Sequence, residues 1–169
     1  MLVWITGLSG SGKTTIGKKV YERMKARHAN TVFLDGDHFR RVLGDDLSHN
    51  PKDRLENAKR IHRFCSLLVS QDINVVCATM SLFKEIHDMN RKEISEYYEV
   101  FIECAIEELV RRDQKGLYSK AINGECEDVV GVNLPYDKPE NCDLIIDNSS
   151  KGDIDGRVDA ILKLIGVEI

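Results

Sequence analysis

Aromatic residues are scarce in this chain of 169 residues, at 7% with a single tryptophan, and only three prolines occur. With so few prolines, and twelve glycines spread along the chain, there is no Pro/Gly-rich linker between modules. The length suits one domain, residues 1–169, with a sizeable core. No apolar run approaches the roughly 18 residues that cross a membrane. The opening Met1-Leu2-Val3-Trp4-Ile5-Thr6 has neither the basic start nor the long apolar core of a signal peptide and reads as a strand. The five cysteines (Cys65, Cys77, Cys104, Cys126 and Cys142) are odd in number, widely spaced and without a C-x-x-C pair. That argues against a disulfide framework or zinc knuckle and for reduced thiols in a cytoplasm. Positive charge is not in excess either: Lys+Arg 24 against Asp+Glu 28 gives -4. A nucleic-acid polymer is therefore not the expected partner, though a local basic pocket for a small anion is allowed.

What is present is an alternation of short β-rich apolar runs and longer helical patterns. Strands are expected at 2–6, 31–35, 74–79, 98–104 and 143–148, and helices at about 13–28, 51–71 and 154–164. In the second of these helices Leu55, Ala58, Ile61, Phe64, Cys65 and Leu68 recur at three- and four-residue spacing, which places them on one face. Near-continuous apolar strands separated by helices imply a three-layer α/β fold, a parallel five-stranded sheet with helices on both faces. The mixed stretch of about 113–141 has no clean strand and is long for a passive connection, so it reads as a lid. His28, His38, His62 and His87 lack ligand spacing and read as surface residues, while Cys65, Cys77 and Cys104 sit in apolar patterns and read as core.

Gly7-Leu8-Ser9-Gly10-Ser11-Gly12-Lys13-Thr14 matches G-x-x-x-x-G-K-[ST], between an expected strand and an expected helix. Such a loop wraps polyphosphate with backbone N–H groups and sets it on a helix N-terminus. Gly7, Ser9, Gly10, Ser11, Gly12, Lys13, Thr14 and Thr15 are thus candidates for binding ATP. Lys13 would reach the β- and γ-phosphates, and Thr14 would ligate Mg²⁺. No N-K-x-D motif reads guanine, and the strand ending Cys77-Ala78-Thr79 lacks a metal-shell aspartate.

That carboxylate is expected from Asp35-Gly36-Asp37, at the carboxyl end of the second strand, where open parallel sheets bind ligands. Asp35 would serve the metal and Asp37 would orient or deprotonate an acceptor hydroxyl. For either alone, a turn capping the next helix is the alternative. Arg40, Arg41, Arg54, Lys59, Arg60 and Arg63 follow, a local cationic excess suited to an anionic acceptor. Arg40 and Arg54 lie nearest the expected cleft; Arg41, Lys59 and Arg63 read as a solvated helix face.

Gly7–Thr15, Asp35-Gly36-Asp37-x-x-Arg40, Asp53-Arg54-x-Glu56-Asn57, Arg112-Asp113-x-Lys115-Gly116-Leu117-Tyr118 and Gly131-x-x-x-Pro135-Tyr136-x-x-Pro139-Glu140-Asn141 occur in that order. Together they resemble adenylylsulfate kinases, P-loop enzymes that phosphorylate the ribose 3′-hydroxyl of adenosine 5′-phosphosulfate. The resemblance implies catalytic roles for Lys13, Asp35 and Asp37, and Mg²⁺ at Thr14 and Asp35. It implies acceptor contacts from Arg40, Arg54, Asn57, Ser81, Phe83, Lys115 and Leu117. It also implies ATP and an anionic nucleotide as partners, and a homodimer.

Two departures bear on the acceptor. The family sandwiches adenine between two phenylalanines; those positions here are His49 and Val129, and Leu82 replaces a proline beside Ser81. Stacking on an aromatic face contributes roughly 1–3 kcal/mol per base, which a valine cannot supply. The reading is a kept reaction with a smaller base, as in the family's cytidine diphosphoramidate kinases of bacterial capsule synthesis. A genuine adenylylsulfate kinase is the alternative, and an ATP-sensing module without catalysis a more distant one.

Overall fold

The computed structural model describes residues 1–43, 46–113, 116–150 and 152–168. Strands β1 (Leu2–Thr6), β2 (Thr31–Asp35), β3 (Asn74–Ala78), β4 (Tyr97–Glu103) and β5 (Leu144–Asp147) form one parallel sheet in the order β2-β3-β1-β4-β5. The helices are α1 (Lys13–Arg27), α2 (Gly36–Leu43), α3 (Pro51–Val69), α4 (Lys84–Glu93), α5 (Ile106–Arg112), α6 (Leu117–Ile122) and α7 (Ile154–Leu164). Among the described residues no helix is long and apolar enough to cross a membrane.

The alternation of side chains along a strand divides the core in two. Val3 and Ile5 of β1, with Val76, Val100 and Ile102, pack against Ile16, Val20 and Met24 of α1 and Val158, Ile161 and Leu162 of α7. Leu2 and Trp4 point the other way, onto Ala58, Ile61 and Cys65 of α3 and Ile86 of α4. Every β1 residue is buried, so the central strand and the loop that follows it have little freedom to shift. A third cluster joins segment 116–141 to the sheet: Leu8, Leu82, Phe101, Leu109, Tyr118, Ala121 and Val129.

The expected strands and long helices are present, with ends moved by a residue or two. Four shorter helices were not anticipated. The polar stretch after β2 is helical because Oδ1 of Asp35 accepts the N–H groups of Asp37 and His38, both at 3.1 Å, and caps α2. Asn50 caps α3 by accepting from the Asp53 N–H at 2.9 Å, with Pro51 behind it. Two histidines expected at the surface are buried instead: His62 bonds Asn90 and Glu93, and His87 meets Ser81 and Glu99. Phe64, expected on the packed face of α3, is 38% exposed and tilts against Phe39.

Ile161, fully buried between α7 and the sheet, is a direct gauge of this core. Ile161→Ala is expected to lower unfolding free energy by about 2–5 kcal/mol. In denaturant titrations the midpoint would fall with an unchanged slope.

Candidate active site

The loop between β1 and α1 lies at the centre of the sheet's carboxyl edge, and four consecutive carbonyls in it are held by side chains. Lys13 Nζ donates to Leu8 O at 2.6 Å and the Tyr118 hydroxyl to Ser9 O at 2.7 Å. Arg112 Nη1 donates to Gly10 O at 3.4 Å and Asn148 Nδ2 to Ser11 O at 2.6 Å. The donors come from α1, α6, α5 and the end of β5, so distant parts of the chain fix the loop. Gly12 takes φ 102°, and a Cβ there would lie 2.4 Å from Asn148 Nδ2. Lacking a side chain, Gly12 offers no cap to α1, and the first-turn amides are left for an anion.

Asp35 stands at the end of β2, opposite Ala78 of β3 and one strand removed from β1. Its two oxygens divide two tasks. Oδ1 caps α2, and Oδ2 accepts the Thr14 hydroxyl at 2.8 Å. The capping alternative therefore holds for Oδ1, while Oδ2 faces the Thr14 hydroxyl beside the phosphate loop. A hydroxyl and a carboxylate in contact beside a phosphate loop fit Mg²⁺, which binds few protein oxygens and keeps phosphate and water ligands. Among the described residues no cluster of three His, Cys, Asp or Glu side chains forms a protein-only metal cage.

These groups open on a cavity of about 640 Å³. It runs across the sheet edge, with α2 and α3 on the β2 side and the segment after β5 on the other. Asp37, Arg40, His49, Arg54, Asn57 and Ser81 line the first end. Arg40 donates to Leu47 O at 2.7 Å and Ser48 O at 2.9 Å, and Arg54 Nη2 donates to Asp128 O at 3.1 Å, joining α3 to segment 116–141. Burial lowers the pKa of the Arg54 guanidinium and the Arg40 charge lowers it further, against the pull of Asp128 and Asp37. Two cations in a half-buried wall are mutually unfavourable, so an anion entering between them is attracted.

Most of the sequence-derived candidates come together here: Ser9, Gly10, Gly12, Lys13, Thr14, Thr15, Asp35, Asp37, Arg40, His49, Arg54, Asn57 and Ser81. Gly7 and Ser11, also in the loop, are buried and do not line the cavity. Phe83 and Leu117 pack into hydrophobic clusters instead of the cavity wall. Val129, expected to face the acceptor base, is 2% exposed and turned into the cluster of Leu8, Leu82 and Phe101. Lys115 lies outside the described residues. Sequence reasoning missed Arg111, Asn148, Ser150 and Arg157, which line the other end. Their signal was position: all follow the carboxyl ends of β4 and β5, beside the phosphate loop.

A phosphate loop at the sheet centre, with acids and arginines lining the cavity beside it, is the arrangement of a P-loop kinase. The chain belongs to the adenylylsulphate kinase family, whose sequence pattern matches residues 1–147. It is 44% identical over 166 residues, 98% of this chain and 96% of the other, to the cytidine diphosphoramidate kinase of Campylobacter jejuni. The adenylyl-sulfate kinase of Clostridium kluyveri is 39% identical over 147 residues, 86% of this chain and 74% of that one. Among solved structures, the Mycobacterium tuberculosis APS kinase CysC in complex with AMPPNP and APS superposes with a TM-score of 0.86 at 33% identity, covering 98% of this chain and 96% of its own.

The Tyr118 contact gives a test of the loop restraint. Tyr118→Phe removes the donor to Ser9 O and is expected to cost about 0.5–1.5 kcal/mol, weakening ATP binding roughly two- to tenfold. Calorimetric titration with ATP and Mg²⁺ measures it; unchanged affinity in a folded variant would remove Tyr118 from loop fixation.

Proposed function

We propose that this protein transfers the γ-phosphoryl group of ATP to the ribose 3′-hydroxyl of cytidine diphosphoramidate, in the assembly of a phosphoramidate-bearing capsule. The observation that carries the choice of acceptor is the scarcity of flat apolar surface in the cavity. No Phe, Tyr or Trp is among the described residues lining it; the ring it offers is the His49 imidazole. A purine loses most from that, because stacking scales with ring area. End-to-end similarity to a cytidine diphosphoramidate kinase supports the same reading.

In this account the loop amides and Lys13 bind the triphosphate. Thr14 and Asp35 would hold Mg²⁺, which would supply neutralisation of the phosphate charge. Asp37 accepts the proton of the acceptor hydroxyl and aims its oxygen at the γ-phosphorus, while Arg40 and Arg54 hold the acceptor's anionic groups. The transition state needs little covalent help, so alignment and charge supply most of the rate.

The second reading is phosphorylation of adenylyl sulfate, favoured by the extent of the family match and by the superposition on an enzyme solved with APS. Turnover separates the two. With ATP and Mg²⁺, ADP release is expected to show a higher kcat/KM for cytidine diphosphoramidate than for adenylyl sulfate. The reverse order would establish the second reading, and ATP binding without acceptor-dependent ADP release would exclude both. Asp37→Asn is expected to keep ATP affinity and lose about two orders of magnitude in kcat. A near-wild-type rate would contradict its role.

A further inference from the structure

Beside Ser81 lies an ionic chain, buried at His87 and Glu99 and open to solvent at Arg91, that the reaction as described leaves unused. His87, on α4, is 7% exposed. Its Nε2 stands 2.8 Å from the carbonyl oxygen of Ser81, and its Nδ1 lies against Oε1 of Glu99. Glu99, on β4, is 2% exposed, and its other oxygen is 3.4 Å from Nη2 of Arg91. Arg91 Nη2 in turn donates to Asn141 O at 3.0 Å and to Asp143 Oδ2 at 3.1 Å.

We infer that His87 is a positioning residue for the acceptor: its imidazolium, set between the Glu99 carboxylate and the Ser81 carbonyl, holds the turn 81–84 in the shape that the acceptor meets. This rests on the reading that the acceptor occupies the Ser81 end of the cavity. Both neighbours of the ring are acceptors, and a neutral imidazole has one N–H to give, so only the cation satisfies both. Arg91 against the second Glu99 oxygen is the partner of a carboxylate. The charged groups facing the ring are Glu99 from β4, Asp137 from segment 116–141 and, beyond Glu99, Arg91 of its own helix. Burial lowers the pKa of His87, but Glu99, the Ser81 carbonyl and Asp137 outweigh it, and the net shift is upward. The charge is thus kept below the usual 6.5 and for some distance above it, and is lost as pH rises through the raised value.

The turn needs such a hold. Leu82, unlike a proline, leaves its own φ unrestrained. Ser81, 2% exposed, reaches the cavity while its carbonyl points back to His87 and its hydroxyl lies 3.3 Å from that of Thr79. Residues 82 and 84 also carry segment 116–141: Asp137 N–H donates to Leu82 O at 3.2 Å, and Lys84 N–H to Asp137 Oδ2 at 2.9 Å. Without His87 the Ser81 carbonyl would keep only the longer contact from the Thr6 hydroxyl at 3.5 Å, loosening the acceptor wall and the anchor of that segment together, while the phosphate loop keeps its own restraints.

The test is steady-state kinetics on the full chain, with ATP, Mg²⁺ and whichever of cytidine diphosphoramidate and adenylyl sulfate the wild type turns over faster. Because the faster acceptor is used, loss of the cytidine reading does not alter the comparison. His87→Ala is expected to raise acceptor KM about tenfold while ATP KM stays within about twofold. His87→Gln, whose amide N–H can still reach Ser81 O, is expected to recover most of the loss. In the wild type, a ring ¹⁵N NMR pH titration should show both His87 nitrogens protonated below pH 6.5 and the ring proton lost only above that usual value, a measurement that needs no variant. Equal rises in both KM values, unchanged acceptor KM in a folded His87→Ala, a Gln variant as defective as Ala, or a ring that loses its proton below pH 6.5 would each overturn the inference.

Discussion

The outward fastening of the phosphate-loop carbonyls is the constraint on which the rest depends. A glycine-rich loop is the most mobile kind of backbone, yet to stabilise a transferring phosphoryl group its amides must be in place beforehand. Here Leu8, Ser9, Gly10 and Ser11 each give their carbonyl to a side chain, and the donors come from four different elements. The rigid, fully buried β1 fixes one end of the loop, and α1 fixes the other. Between them the loop is held by contacts that exist only once β5, α5 and α6 have assembled. Fold and site are therefore formed together.

Charge is the second theme. In a protein with a net charge of -4, Lys13, Arg40, Arg54, Arg111, Arg112 and Arg157 line the cavity. Arg40 and Arg54 line its β2 side while their neighbours form ion pairs away from it: Arg60 with Asp46 and Glu56, Arg63 with Glu56, and Lys59 with Glu85. The same division appears within Asp35, one oxygen building a helix and the other facing Thr14. Capping α2 with one oxygen fixes the orientation in which the other meets Thr14.

Much of this was legible in the sequence because its signals are local. The phosphate loop is a contiguous motif, the strands are runs of apolar residues, and α3 has a helical period from Leu55 to Leu68. Asp35 and Asp37 follow from the rule that parallel sheets bind ligands beyond their carboxyl ends. The short helices were not legible, since α5 and α6, of seven and six residues, hold no stable helix without tertiary contacts. Burial of His62 and His87 was missed for a related reason: their partners lie 6 to 31 residues away, on other elements. Val129 was misjudged because a position in segment 116–141 says nothing about which way its side chain turns, and this one turns into the cluster around Leu8.

The most direct measurement is a crystal structure with a non-hydrolysable ATP analogue, Mg²⁺ and the acceptor. The account predicts the β- and γ-phosphates on the N-terminus of α1, a metal bound by Thr14 and close to Asp35, and the acceptor's ribose hydroxyl between Asp37 and the γ-phosphorus. A nucleotide seated away from Gly10–Thr15, or an acceptor hydroxyl beyond reach of Asp37, would contradict it.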